Sequence, residues 1–142
     1  MRSAIVNRPI QAAALAAEVA AATNGATAIF LGTVRSSNDG RDVDGIEYSA
    51  YDEMAVREMN TILDEAFRKF GIAEGVIEHR TGSLQVGDAS IGVAVAAPHR
   101  GAAMDALRFI VDQTKHRAPI WKLEHYADGT REWVGAPAGT PP

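Results

Sequence analysis

The chain has 142 residues, of which 46% are hydrophobic and 23% charged, the balance of a single globular domain and not of a disordered chain. It contains no cysteine, which excludes a disulfide framework, a thiolate zinc site, an iron–sulfur cluster and a catalytic thiol of its own. A net charge of −4 argues against a general nucleic-acid binder, and 6% aromatics beside 26 alanines points to an aliphatic core.

Residues 10–22 are alanine-rich, follow Pro9 and end before Asn24-Gly25, so they read as a short surface helix. Glu18 and the lack of a leucine-rich block set this stretch apart from a signal peptide. No apolar run approaches the ~20 residues needed to cross a bilayer, so a soluble, cytoplasmic protein without membrane contact is expected. Residues 25–34 (GATAIFLGTV) suit a buried strand. Residues 35–44 (RSSNDGRDVD) are polar and predict an exposed, mobile loop, after which 43–51 resume strand character.

From Asp52 to Phe70, apolar residues recur at three- and four-residue steps, with Asp52 expected as N-cap and Gly71 as the C-terminal stop. Residues 75–81 predict a strand, 82–88 a glycine-bounded connection, and 89–97 (ASIGVAVAA) a central buried strand. A second helix follows Pro98 and must end near Arg117–Ala118, because Pro119 disfavours helical geometry in the residue before it. Residues 120–126 and 131–134 predict a hairpin, and 135–142 (GAPAGTPP) a disordered tail. Residues 1–134 are thus expected to form one α+β domain, with helices packed on a sheet.

The charge is unevenly spread. Residues 36–95 carry a net −7, whereas residues 99–122 carry +3 from Arg100, Arg108, Lys115, Arg117 and Lys122 against Asp105 and Asp112. His99-Arg100 opens a helix, where unpaired N–H groups and a guanidinium suit phosphate or carboxylate, although a histidine also serves there as a simple cap. After Pro119, Ile120 and Lys122 share one strand face and Trp121 takes the other. Lys115 can fold back towards Lys122, and two close ammonium groups lower one another's pKa, freeing one as base or nucleophile. The plainer alternative is that Lys115 only complements the helix C-terminus. A continuous helix separates His99 from Lys115 by roughly 24 Å, so one small ligand reaches both ends only if a symmetric dimer joins them. The four histidines have no close metal-ligand spacing, and no metal site or cofactor is expected.

Four segments together resemble one family. Phe30–Arg35 (FLGTVR), Glu47–Met54 (EYSAYDEM), Ala97–Arg100 (APHR) and Lys115–Glu124 (KHRAPIWKLE) are similar, in order and spacing, to the catalytic (large) subunits of molybdopterin synthase. The resemblance spans about residues 26–134. It implies an α/β hammerhead-type fold with an additional antiparallel β subdomain. It also implies a sulfurtransferase of molybdenum cofactor biosynthesis, which moves two sulfurs to cyclic pyranopterin monophosphate and so forms the molybdopterin dithiolene. The sulfur arrives as a thiocarboxylate on the C-terminal Gly-Gly of a small ubiquitin-like subunit, and a homodimer forms the core of a heterotetramer.

Carried over by residue, the resemblance implies that Lys115 does acid–base or covalent chemistry and that Lys122 holds the thiocarboxylate and polarises its carbonyl. Arg35, His99 and Arg100 are implied as anion binders, the last two coming from the other subunit. Thr33, Val34, Leu123 and Glu124 are implied to line the same segments, Glu124 orienting Lys122. Where some members carry a further basic residue after the Trp-Val pair, this chain continues Gly135-Ala-Pro137, so no role is carried over to the tail. A non-catalytic docking module for a ubiquitin-like tail, and a phosphate sensor using His99-Arg100 alone, are the competing readings.

Overall fold

Strand β7 (Ala89–Ala97) is the axis of the first sheet in the computed structural model, which describes residues 1–142. All but its first residue are buried, which explains its run of small and branched side chains. It pairs antiparallel with β5 (Glu74–Arg80) and with β2 (Ala26–Thr33), and β1 (Arg2–Val6) lies parallel to β5, giving the order β1-β5-β7-β2.

Helices α2 (Asp52–Phe70) and α3 (Arg100–Arg117) cover one face of this sheet, and their contact forms a 15-residue core that includes Met59, Ile62, Ile77, Val93 and Ile110. The shorter α1 (Ala12–Val19) covers the other face through Leu15 and Val19, packed on Val76, Ala94 and Ala96. The approach of α1 and the residues before it is close enough that a Cβ on Gly92 would sit 2.6 Å from an Ile10 methyl and 2.7 Å from a Leu15 methyl, so a larger residue there would push these side chains aside. Many of the alanines serve the same end. Ala94, Ala96, Ala97, Ala103 and Ala106 have at most 1% exposure and let helix and sheet backbones approach one another.

A second, antiparallel sheet is built around β4 (Arg41–Ala50). Strand β8 (Ile120–Tyr126) pairs along one side of β4 and carries β9 (Arg131–Val134) beyond it. Two short strands, β3 (Ser37–Asn38) and β6 (Gly82–Gln85), share the other side. Its interior is small: Val34, Val43, Tyr48, Leu84 and Tyr126. This is the mixed α+β hammerhead-type arrangement with an added antiparallel subdomain that the resemblance implied. No helix is long and apolar enough to cross a membrane.

Several local expectations need correction. Residues 35–44 are not one loop but a hairpin, with β3 turning into β4 through Asp39 (φ 49°) and Gly40 (φ 76°), a two-residue turn with both centres left-handed. The 82–88 connection contains β6, recruited by pairing with β4. Strand β1 had no counterpart in the sequence reading, since its five half-buried residues show no alternation. Tyr51, not Asp52, occupies the N-cap of α2, and no side chain caps it; Asp52 and Glu53 instead place negative charge in the first turn. Gly71 (φ 69°) does end the helix in the left-handed conformation. Residues 135–142 have no helix or strand, but the Tyr51 hydroxyl donates to the Thr140 carbonyl at 2.9 Å.

Candidate active site

Where the two sheets meet, the chain forms a cavity of about 450 Å³, a size suited to a small-molecule ligand. The C-terminal end of β2 brings Gly32 and Thr33, and the segment after it brings Arg35, Ser37 and Asn38. The last turn of α3 supplies Thr114, Lys115 and His116, while β8 presents Ile120, Lys122 and Glu124 from one face of the strand. Tyr48 of β4, His79 of β5 and Ser90 of β7 form the inner wall, and Val134 and Gly135 complete the lining.

The alternation of β8 decides which of its residues reach the site. Trp121 points to the opposite face and packs edge-on against Tyr51, with ring centroids 5.4 Å apart. Helix α3 stops at Ala118, whose extended backbone leads through Pro119 into β8. That short turn brings Lys115 and Lys122 into one cavity. Burial first, then the Lys115 charge, holds the Lys122 ammonium below the ordinary lysine value, with Arg35 adding to the effect and Glu124 opposing it.

Glu124 is 4% exposed. Its Oε2 accepts a 3.2 Å hydrogen bond from the Asn38 side-chain amide, and its Oε1 has no partner. Asn38 in turn lies at a long 3.5 Å from the Arg35 guanidinium, so the β3–β4 hairpin links Arg35 to Glu124. The Thr114 hydroxyl is also buried without a partner.

The basic block of the sequence is divided by the fold. Arg117 is drawn away from the cavity by Glu58 and Glu65 of α2, at 2.6 Å each, and Arg108 faces Asp112 one turn along α3. Lys115, Lys122 and Arg35 remain as the cavity's cations, with neither lysine in a salt bridge. His99 and Arg100 sit at the opposite end of α3, exposed and outside this lining; His99 is the N-cap but makes no side-chain capping bond. Eighteen residues of helix amount to roughly 27 Å. Val34 and Leu123 do not line the cavity. Val34 is buried in the second sheet's interior, and Leu123 lies between Lys122 and Glu124 on the other face of β8.

Sequence reasoning did not single out Tyr48, Asn38, His79, Ser90 or Thr114 as site residues. Each reaches the cavity only through pairings that join distant segments, so no local spacing announces it. No cluster of side chains suited to holding a metal ion is present.

The geometry can be compared with known proteins. Residues 5–117 match the family model described as MoaE protein. The chain is 46% identical over 111 residues to the molybdopterin synthase catalytic subunit of Pyrococcus abyssi, covering 78% of this chain and 75% of that protein. It is 39% identical over 134 residues to molybdopterin synthase catalytic subunit 1 of Mycobacterium tuberculosis, covering 92% and 88%. Among solved structures, molybdopterin synthase from Staphylococcus aureus superposes with a TM-score of 0.88 at 34% identity, covering 92% of this chain and 95% of that one.

Proposed function

The chain belongs to the MoaE protein family, that of molybdopterin synthase catalytic subunits, and on that premise we propose that its inter-sheet cavity transfers two sulfurs to cyclic pyranopterin monophosphate, forming the molybdopterin dithiolene. The observation that carries this reading is the pair of salt-bridge-free lysines, Lys115 and Lys122, in one cavity beside Arg35. With no cysteine in the chain, the sulfur has to be delivered. The donor is the C-terminal thiocarboxylate of a small ubiquitin-like subunit, whose Gly-Gly tail enters the cavity. The enzyme works in the cytoplasm, residues 1–134 act as one unit, and two catalytic chains form the core of a heterotetramer.

Each residue has a role that its surroundings support. Lys122 holds the thiocarboxylate and polarises its carbonyl. Its lowered pKa also lets it release a proton more readily than an ordinary lysine. Lys115, at the mouth of the cavity, is the acid–base or covalent group. Glu124 orients Lys122 from the same strand face, and Thr33 and Arg35 form the rim that receives the substrate's phosphate. Val34 and Leu123 act through the backbone segments that carry their neighbours.

His99 and Arg100 complete the anion site from a partner subunit. Strand β2 is an open edge of the first sheet, with Ile29 and Leu31 about 40% exposed. At one end Ala26 pairs with Ala97, close to His99; at the other Thr33 pairs with Ala89, beside the cavity. Two β2 edges joined antiparallel about a two-fold axis bring the start of one strand to the end of the other. Such a seam carries His99 and Arg100 of the partner subunit towards Thr33 and Lys115.

The test is reconstitution with a thiocarboxylated small subunit and cyclic pyranopterin monophosphate, following the dithiolene product. Lys115→Ala is expected to lower the rate at least about 100-fold. Undiminished product formation by that variant would leave the chain as a docking module only. Mixed dimers of His99→Ala and Lys115→Ala chains should recover activity that neither has alone; no recovery refutes the shared site.

A further inference from the structure

The inner wall of the cavity has the opposite polarity to its rim. His79 is 7% exposed, and its Nδ1 lies 3.1 Å from the carbonyl oxygen of Arg80. A carbonyl only accepts, so Nδ1 carries the proton and donates it. Burial lowers the imidazole pKa to about 4, so the ring is neutral at physiological pH. Nε2 is then a bare lone pair, and it makes no hydrogen bond within the chain. Glu124 adds a second set of lone pairs, with Oε1 unpartnered and Oε2 bonded only to Asn38. The structure therefore places two acceptors without hydrogen-bond partners, His79 Nε2 and Glu124 Oε1, in the lining of a cavity whose charged groups are otherwise Arg35, Lys115 and Lys122.

Phosphate and thiocarboxylate are themselves acceptors and gain nothing from such a wall. A ligand that satisfies it must bring hydrogen-bond donors, which in the substrate proposed above are the N–H groups of its ring edge. We propose that His79, through Nε2, and Glu124, through its carboxylate, form a donor-reading wall that recognises the N–H-bearing edge of a neutral nitrogen heterocycle, the aminopyrimidine side of a pterin. The cavity is then bipartite, with Arg35 and the lysines taking the anionic end of the substrate and His79 and Glu124 taking the ring. This deepens the function proposed above and rests on it. Packing against Tyr48, whose ring centroid is 5.2 Å from that of His79, explains why the position is aromatic but not why a lone pair is left over.

The experiment is a binding titration of the full chain with 6-hydroxymethylpterin phosphate and, separately, with methyl phosphate, which has a phosphate but no further N–H or O–H donor. His79→Phe keeps a ring against Tyr48 and should weaken the pterin phosphate about tenfold while leaving methyl phosphate unchanged. The unmodified chain should bind the 2-dimethylamino analogue of the pterin phosphate about tenfold more weakly than the parent compound. This second comparison decides the matter even if the variant fails to fold. Equal affinity for parent and dimethylated ligands overturns the donor-reading wall and leaves the sulfur-transfer reading standing. Failure of the unmodified chain to bind any pterin phosphate removes both.

Discussion

Two carboxylates in this molecule are almost equally buried, Glu78 at 2% exposure and Glu124 at 4%, yet their surroundings differ. Glu78 accepts from Arg2 at 2.8 Å and from both terminal nitrogens of Arg8 at 2.8 and 3.1 Å, so both its oxygens are satisfied. Arg2 reaches on to Glu18 of α1, which ties the N-terminal strand, the first helix and β5 into one network. Glu124 has a single amide donor and one oxygen with none, beside lysines that are in no salt bridge. Burial alone does not separate a structural carboxylate from a functional one. The distinction lies in whether the protein itself completes the hydrogen bonding, because an incomplete set costs stability that a ligand or an ordered water has to return.

His79, the chain neighbour of Glu78, gives the largest test of this contrast. Adjacent strand residues face opposite ways, so Glu78 joins the arginine network while His79 faces the cavity. Its pKa falls from 6.5 to about 4 on folding, so below pH 6.5 the unfolded chain takes up a proton that the folded one refuses. Stability should therefore fall as pH drops from 6.5 to 4, by about 3 kcal/mol in urea titrations. His79→Phe should flatten that slope, and an unchanged slope would mean that the ring is not held neutral. Glu78 acts in a lower window. Its arginine partners, Arg8 first, hold its pKa below 4.5, so its contribution is present above that pH and lost as the pH falls further.

Glu78→Ala should cost about 2 kcal/mol at neutral pH. The cost is moderated because both arginines are partly exposed and regain water. The smallest expected effect on stability is that of Glu124→Gln, within about 1 kcal/mol of the parent and in either direction, accompanied by loss of sulfur transfer. If Glu124→Gln destabilised as strongly as Glu78→Ala, the two carboxylates would be of one kind and the contrast would fail. Thermal melts of both variants beside activity measurements decide it.

Much of the frame was legible because it follows strong periodicities. Helix α2 repeats its apolar residues over 19 positions, and β7 is a closed run of small and branched side chains between recognisable stops. Strands β3 and β6, with two and four residues, have no period to read and exist because β4 offers them a partner. Within the site, Lys115, Lys122 and Glu124 could be read from one contiguous segment, and Arg35 from another. His79 and Asn38 could not, since their approach to Glu124 depends on how the two sheets meet. The sequence also overstated the local positive charge, because the carboxylates opposing Arg117 lie more than 50 residues away on α2.

Helix α3 also determines which changes of length the chain tolerates. Its first residues carry the His99-Arg100 end and its last turn carries Lys115, so one added residue anywhere between them would swing the lysine about 100° around the axis. The turns at Asp39-Gly40 and Ala127–Gly129 stand at the surface and can lengthen without disturbing either sheet. In a lineage of such chains, insertions and deletions should therefore gather in the hairpin tips and be absent from the helix. In the dimer proposed above, the distance between its ends acts as a fixed gauge, setting the interval at which the two reaction centres repeat.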